Sequence, residues 1–176
     1  MQDNFENLIL IGATGVVANG NALANVIQGN GADNFIDGRG GLDRLFGNGG
    51  NDRLTIHDGQ EQAAGGSGFD TLQFGTDLNF LNLAGLAGSS LTGIESIDMR
   101  NGSATTLVLS VRQLLAMSSE SNILTVDGDS GDQLQIGKGW LRTISDTVGY
   151  DQYNSTQAGQ TGILLVGNNI QVDTGG

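Results

Sequence analysis

The chain of 176 residues contains no cysteine, a single histidine and few cationic side chains. Without cysteine no disulfide can stabilise the fold, so another stabilising interaction, such as a bound metal ion, is expected. Lysine and arginine together number 7 against 19 aspartates and glutamates, which gives a formal net charge of −12. So acidic a chain is a poor candidate for binding nucleic acid or an anionic membrane. The apolar run near the N-terminus, Leu8 to Ile11, is far too short for a membrane span, so membrane insertion is not predicted.

Sequence signals of catalysis are missing as well. The chain has no thiol nucleophile, one histidine and no Gly-x-Ser-x-Gly elbow. Residues 135–139 resemble a phosphate-binding loop only faintly, because Gly139 stands where Ser or Thr is required. Paired carboxylates could serve a glycosidase, but metal-binding turns explain the acidic residues more simply. We therefore predict a protein that is not an enzyme.

Glycine, in contrast, is abundant, with 30 copies in the chain, and the glycines between residues 29 and 73 follow a nine-residue period. Four of the five blocks (29–37, 38–46, 47–55 and 65–73) share front glycines, a sixth-place Asn or Asp, and an eighth-place Ile or Leu. The sixth places are Asn34, Asp43, Asp52 and Asp70, and the eighth places are Ile36, Leu45, Leu54 and Leu72. Block 56–64 carries Glu61 and Ala63 at these places, and block 20–28 carries Asn25 and Ile27.

This period predicts an all-β fold in which each block makes half a coil of a parallel β-roll. A short strand with one inward apolar residue cannot bury it alone, so successive strands must stack and share a core. Between strands the chain must reverse within about six residues, and glycine supplies the positive φ and close backbone approach that such a turn needs. Repetition is therefore a condition of stability.

The turns are predicted to bind calcium. Carbonyl groups that point into such a turn, together with a sixth-place aspartate, form a ring of oxygens that is repulsive unless a hard cation lies among them. Calcium accepts six to eight oxygen ligands at flexible geometry, backbone carbonyls included. The predicted ligands are the sixth-place side chains of Asn25, Asn34, Asp43, Asp52 and Asp70, with the turn glycines Gly38, Gly40, Gly47, Gly49, Gly65, Gly66 and Gly68.

Because each block is half a coil, alternate blocks should stack their turns on one edge of the roll. One edge then carries the turns that start at residues 20, 38 and 56, and the other those that start at 29, 47 and 65. The pair 47–52 with 65–70 is the best predicted site, since it offers two aspartates. The pair 38–43 with 56–61 is the weakest, because its second turn has lost the glycines.

The net negative charge of the chain favours the binding of several calcium ions. About three to five calcium ions would neutralise roughly half or more of the excess negative charge, so folding should depend on calcium. Extracellular calcium modules bind weakly, at about millimolar concentrations. We therefore expect an extracellular protein that is disordered where calcium is scarce and compact where it is plentiful.

The nonamers resemble the haemolysin-type calcium-binding repeats of bacterial RTX proteins, with residues 47–54 (GNGGNDRL) and 65–72 (GGSGFDTL) as the nearest copies. Residues 93–99, 105–118 and 123–140 resemble a region that follows such repeats in large secreted adhesins. The resemblance implies a bacterial protein, exported by type I secretion and placed at the cell surface or outside the cell. It also implies that the chain is part of a longer multidomain protein.

Three parts are predicted along the chain: an N-terminal capping strand (1–19), the roll (20–73), and a β-rich region (74–176) packed on the roll or continuing it. Short strands are expected throughout the last part. Residues 110–117 predict one helix of about two turns, with Ser110 as its capping residue. Gly167-Asn168-Asn169 predicts a hairpin turn.

Two further features suggest binding. Asp127, Asp129 and Asp132 lie within six residues and form a possible calcium loop, the alternative being a solvated acidic turn. The aromatic side chains of Trp140, Tyr150 and Tyr153 could line a site for a peptide or glycan, although packing in the core explains them as well.

Three functions agree with these observations. The first is a calcium-stabilised adhesin module that acts as a spacer or presents a ligand. The second is the C-terminal export and folding module of an RTX enzyme or toxin. The third is a domain that binds an extracellular peptide or sugar through calcium.

Overall fold

The computed structural model describes residues 6–83 and 91–175. Residues 1–5 of the predicted cap, and residues 84–90 and 176 of the predicted C-terminal region, lie outside the described residues. The described chain is nearly all β, with parallel pairing in the roll and one short helix, as the nonamer period predicts. In this part of the chain, no helix is long and apolar enough to cross a membrane.

From residue 6 onward, where the structure describes the chain, the N-terminal half contains eight short strands, numbered here in chain order. Each nonamer contributes one strand, which covers its seventh to ninth places and in some blocks the residues just after them. The strands are β1 (Asn7–Ile9), β2 (Val17–Asn19), β3 (Val26–Gln28), β4 (Phe35–Asp37), β5 (Arg44–Gly49), β6 (Arg53–Ile56), β7 (Gln62–Ser67) and β8 (Thr71–Phe74).

Odd and even strands of this half form two different sheets. The register joins residues 18 positions apart, for example Ile27 with Leu45 in one sheet and Ile36 with Leu54 in the other. Alternate nonamers therefore stack on the same edge, which confirms the predicted assignment of turns to edges. The broken block 56–64 keeps its place, because β7 pairs in parallel with β5.

The eighth-place side chains form the core between the two sheets, as predicted. Ile27, Ile36, Leu45, Leu54 and Leu72 are each at most 1% exposed. Each such side chain contributes about 1.5–3 kcal/mol relative to an exposed one. A single coil buries too few of them to be stable, so the roll depends on stacking.

Among its described residues, the C-terminal half adds ten strands and a helix. The strands are β9 (Phe80–Asn82), β10 (Leu91–Thr92), β11 (Ser96–Asp98), β12 (Thr106–Val108), β13 (Ile123–Asp127), β14 (Gln133–Gln135), β15 (Leu141–Thr143), β16 (Tyr150–Gln157), β17 (Gln160–Gly167) and β18 (Gln171–Asp173). The helix, α1, covers Val111–Met117.

The two halves share sheets. The nine-stranded sheet of the even strands continues from β8 through β11 and β13 to β17, all parallel, and ends in the antiparallel strands β16 and β15. The odd-strand sheet ends at β10, and a new four-stranded parallel sheet contains β9, β12, β14 and β18. The C-terminal half thus continues the coil, and each coil there contains more residues than a coil of the roll. The predicted division into three parts remains a prediction.

The predicted helix is confirmed, and Ser110 is its N-cap residue, but the expected capping hydrogen bond is not made. The Ser110 side chain makes no capping bond to the backbone and instead hydrogen-bonds the Gln113 side chain. The helix is held by packing: Leu114 and Met117 are buried, and a methyl group added to Gly162 in β17 would touch the side chains of Leu114 and Val111.

The predicted hairpin at residues 167–169 is wrong. β17 and β18 lie in different sheets, so this turn carries the chain from one sheet to the other. The tight hairpin lies between β16 and β17, where Ala158 and Gly159 both have positive φ (52° and 83°). An Ala-Gly pair is a weak hairpin signal compared with Asn-Gly, which is why the sequence pattern missed it.

Candidate calcium turns

Hydrogen bonds between coils place the sixth-place side chains in two rows inside the turns. On one edge Asn34 N donates to Asp52 Oδ1 (2.7 Å), and Asp52 N donates to Asp70 Oδ1 (2.7 Å). On the other edge Asn25 N donates to Asp43 Oδ1 (2.7 Å). All five side chains are buried, so each row runs inside the roll parallel to its axis.

The turns fall into two conformations, which we call Asn turns (residues 20–25 and 29–34) and Asp turns (residues 38–43, 47–52 and 65–70). In the Asp turns the second and fourth places have positive φ: Arg39 (65°), Asn48 (77°), Gly66 (111°), Gly41 (112°), Gly50 (95°) and Gly68 (130°). No second or fourth place of the Asn turns is among the positive-φ residues. The two turn types therefore orient their peptide groups differently.

The asparagine side chains of the Asn turns form hydrogen bonds within their own turn. Asn30 N donates to Asn34 Oδ1 (2.9 Å), and Asn34 Nδ2 donates back to Asn30 Oδ1 (3.1 Å). Asn21 and Asn25 exchange the same two bonds. Because an amide supplies both an acceptor and a donor, these turns satisfy their side chains without a cation. The assignment of Asn25 and Asn34 as calcium ligands stays a prediction.

The Asp turns are left incomplete. Within the described residues, Asp43 Oδ2, Asp52 Oδ2 and Asp70 Oδ2 are buried and have no hydrogen-bond partner. Burial raises the pKa of Asp52 to about 6, although the amide of Asn34 acts in the opposite direction. Burial likewise raises the pKa of Asp43 and of Asp70. A buried carboxylate with an unsatisfied oxygen is costly, so each Asp turn requires a proton or a cation.

Backbone oxygens converge on the same places. A methyl group built on Gly47 would overlap both Asp52 Oδ2 and the carbonyl oxygen of Gly65. Methyl groups on Gly66 and Gly68 would overlap the carbonyl oxygens of Asn48 and Gly50. Glycine is required at these places because the carbonyls of one turn face the α-carbons of the next turn on the edge. The pair 47–52 with 65–70 therefore presents two unsatisfied carboxylate oxygens, Asp52 Oδ2 and Asp70 Oδ2, near several carbonyls.

The broken block 56–61 fills its turn with a longer side chain. Glu61 Oε2 accepts from His57 N (2.6 Å) and Asp58 N (2.7 Å), and Glu61 Oε1 is buried without a partner. Burial raises the pKa of Glu61 to about 8, and the neighbouring Asp43 carboxyl acts in the same direction. This turn thus contributes a carboxyl despite the loss of its glycines.

Glu95 continues one row beyond the nonamers, and the sequence analysis missed it. Asp70 N donates to Glu95 Oε2 (2.9 Å), just as Asp52 N donates to Asp70. Burial is the main cause that raises the pKa of Glu95. Glu95 lies 25 positions after Asp70 rather than 18, so a nine-residue search does not find it. The available signal was Gly93-Ile94-Glu95, a glycine and an acid just before a strand.

The three carboxylates of the acidic loop 127–132 have separate partners. Asp127 Oδ1 accepts from Tyr150 Oη (2.8 Å), and Asp129 Oδ2 accepts from Gly102 N (3.2 Å). Asp132 is buried and accepts from Thr105 N (2.8 Å) and Asp129 N (2.6 Å). Like Asp52, Asp132 accepts a hydrogen bond from a backbone amide of another coil, but both of its carboxylate oxygens have partners. A calcium ion in this loop stays a prediction.

The aromatic side chains considered for a ligand site make contacts within the protein. Tyr153 is buried in the core, and Trp140 Nε1 donates to the carbonyl of Ile136 (3.0 Å). Tyr150 donates to Asp127. Each of the three thus has a contact within the protein, and a peptide or glycan site lined by them stays a prediction.

Calcium fits the Asp turns better than a transition metal would. No group of three or more histidine, cysteine or acidic side chains that could hold a metal is present within residues 6–83 and 91–175. The oxygens that do converge are one carboxylate and several carbonyls in each turn. A donor set of hard oxygens rich in carbonyls suits calcium, whereas zinc and copper prefer nitrogen and sulfur.

Comparison with known proteins adds a distant similarity. No protein-family model matches the chain, and no curated protein matches it. A solved structure, the AlgE6R3 subunit from the Azotobacter vinelandii mannuronan C5-epimerase, is similar at 18% sequence identity and a TM-score of 0.33. The match covers 97% of this chain and 85% of that one. At this identity and TM-score the similarity adds nothing to the geometry of the turns.

Proposed function

We propose that the chain is a non-catalytic calcium-binding β-roll module that folds when it binds several calcium ions. The observation that supports this most directly is the set of buried, unpartnered oxygens of Asp43, Asp52 and Asp70. Each would act as a ligand together with carbonyls of its own edge. Calcium, when bound, would neutralise these carboxylates and replace the hydrogen-bond donors that they lack.

The wider role that we propose is that of a module in a secreted bacterial surface adhesin. Support comes from the nonamers and from the resemblance of residues 93–99, 105–118 and 123–140 to the region that follows such repeats in adhesins. The net charge of −12 would keep the calcium-free chain extended and ready for export by type I secretion. Outside the cell, millimolar calcium would fold it into a spacer or a ligand-presenting domain.

A calcium-binding measurement tests the proposal. We expect the triple variant Asp43→Asn, Asp52→Asn, Asp70→Asn to bind at least two calcium ions fewer than the wild type. In calcium-free buffer the same variant should be at least as folded as the wild type, because amides close the Asn turns without a cation. Isothermal titration calorimetry with metal analysis after dialysis gives the ion count, and circular dichroism gives the fold.

The matched control is the triple variant Glu6→Gln, Asp77→Asn, Asp146→Asn, which removes three exposed acidic charges outside the rows of buried side chains. An equal loss of bound ions in this control would mean that calcium responds to net charge alone. A wild type that binds no calcium up to about 10 mM, above the extracellular range, would refute the function itself.

A further inference from the structure

The row of carboxylates on the second edge does not stop at the last nonamer. Asp70 and the segment that begins at Glu95 are joined by three hydrogen bonds: Asp70 N donates to Glu95 Oε2 (2.9 Å), and Glu95 N and Ser96 N donate to the carbonyl of Asp70 (3.1 Å each). Glu95 is only 9% exposed. This segment therefore occupies the position that the next turn of the roll would take on this edge.

Backbone oxygens repeat the pattern of the preceding pair of turns. A methyl group on Gly65 would overlap Asp70 Oδ2 and the Gly93 carbonyl, as one on Gly47 would overlap Asp52 Oδ2 and the Gly65 carbonyl. A methyl group on Gly93 would lie 2.9 Å from the Gly66 carbonyl oxygen. Gly93 has positive φ (58°), like the glycines of the Asp turns. Carbonyls of Gly66 and Gly93 thus approach the same region from two coils.

An unsatisfied side chain points into this region. Asp70 is 0% exposed, its Oδ1 accepts from Asp52 N, and its Oδ2 has no partner. Asp70 Oδ2 lies beside Gly65, on the side that the Gly93 carbonyl approaches. No lysine or arginine is hydrogen-bonded or ion-paired to Asp70 or Glu95 among the described residues, so their charge is not balanced by the protein.

We propose that a divalent cation of the calcium class binds between the turn 65–70 and the segment 93–95, with Asp70, Glu95 and the carbonyls of Gly66 and Gly93 as ligands. This inference rests on the proposed calcium function and extends it past the nonapeptide repeats. The site would join the roll to the C-terminal half, because β11 starts at Ser96 and pairs with β8. Calcium would then control the junction as well as the repeats.

The test is a count of bound calcium ions in the whole chain for the wild type, Glu95→Gln and Glu120→Gln. The amide introduced by Glu95→Gln keeps an oxygen that can accept from Asp70 N but removes the charge. Glu120 is exposed and makes no hydrogen bond to the turn, yet its charge acts on both Asp70 and Glu95, so it controls for electrostatics at a distance. We expect Glu95→Gln to bind one ion fewer, or to bind one ion at least tenfold more weakly, and Glu120→Gln to match the wild type.

Each other outcome has a definite meaning. Unchanged binding by Glu95→Gln, or an equal loss in both variants, would overturn this site while leaving the proposed function intact. A wild type without bound calcium would overturn both. If Glu95→Gln does not fold, an anomalous-difference map of wild-type crystals grown in calcium decides the question. A peak about 2.3–2.6 Å from oxygens of Asp70 and Glu95 would support the site, and peaks between the nonamer turns alone would overturn it.

Discussion

At the residue scale, the difference between asparagine and aspartate at one place of a repeat determines what a turn needs. The side-chain oxygen of Asn34 accepts a hydrogen bond from Asn30 N, and its side-chain nitrogen donates one to Asn30 Oδ1, both within one turn. Asp52 has the same place in its block but no donor of its own, and one oxygen stays unsatisfied. A change of one nitrogen to oxygen thus turns a self-sufficient turn into one that requires a proton or a cation.

Protons should therefore replace calcium in part at low pH. The pKa of Asp52 rises from 3.8 to about 6 and that of Glu61 from 4.5 to about 8. Between the unfolded and folded pKa values the folded state binds more protons, so the stability that these groups contribute is greatest at acid pH and is lost as pH rises through about 6 and then about 8. We expect metal-stripped protein to show more β signal in circular dichroism at pH 5 than at pH 8.

The pH effect should depend on these particular groups. The variant Asp52→Asn, Glu61→Gln removes two of the protonation events, and we expect it to reduce the difference between pH 5 and pH 8. The remaining difference would come from Asp43, Asp70 and Glu95, whose pKa values burial also raises. The pair Glu6→Gln with Asp146→Asn, both exposed and outside the buried rows, is the control and should retain the difference. A metal-stripped wild type with the same β signal at both pH values would contradict the burial argument.

At the element scale, the nonamer pattern predicted the strands and the core but not every connection. Period nine placed the strands from β3 to β8, because the same apolar place is buried in every block. It did not distinguish the Asn turns from the Asp turns, although the signal is present in the sequence. Gly41, Gly50 and Gly68 occupy the fourth place of the Asp turns, where Leu23 and Ala32 stand in the Asn turns.

Front glycines of the Asp turns should not tolerate a side chain. A methyl group on Gly47 would overlap Asp52 Oδ2 and the Gly65 carbonyl, which are candidate ligands. We expect Gly47→Ala to raise the calcium concentration at the folding midpoint at least tenfold. Gly31→Ala is the matched control, because a methyl group there meets nothing within 4 Å. The midpoint is measured by circular dichroism, and equal midpoints for both variants would show that Gly47 faces no ligand.

The helix is held by a single buried face. Leu114 is fully buried, whereas its neighbour Leu115 is only partly buried. In calcium-saturated protein, Leu114→Ala should lower the free energy of unfolding by about 2–5 kcal/mol, the usual cost of such a cavity. Leu115→Ala should cost less, as measured by urea denaturation. A reversed order would mean that the helix packs through its other face.

At the scale of the whole molecule, the sequence predicted an all-β roll but not the way in which the coil continues. The rungs after β8 are longer and unequal, with Leu72 paired to Ile97 and Ile97 to Val126. No fixed period marks them, so the third sheet and the place of Glu95 emerged only from the structure. The misplaced hairpin has the same cause, because short apolar runs do not reveal which sheet they join.

Because the molecule as a whole is strongly acidic, folding should be the property that is most sensitive to calcium. The chain carries a net charge of −12 and encloses at least three carboxylates that lack a partner for one oxygen. Both terms oppose the compact state until cations neutralise them. Because the two halves share the nine-stranded sheet, we expect them to fold together rather than in separate steps.

The most direct test is circular dichroism of the metal-stripped chain during a calcium titration at about pH 7.5, above the raised pKa of Asp52, with magnesium as the control ion. The account predicts a disordered spectrum without metal and a single cooperative gain of β signal with calcium. Magnesium should not reproduce it, because magnesium demands near-ideal octahedral geometry and keeps its waters. A chain that is already folded in chelator, or that folds equally with magnesium, would contradict the claim that calcium completes this fold.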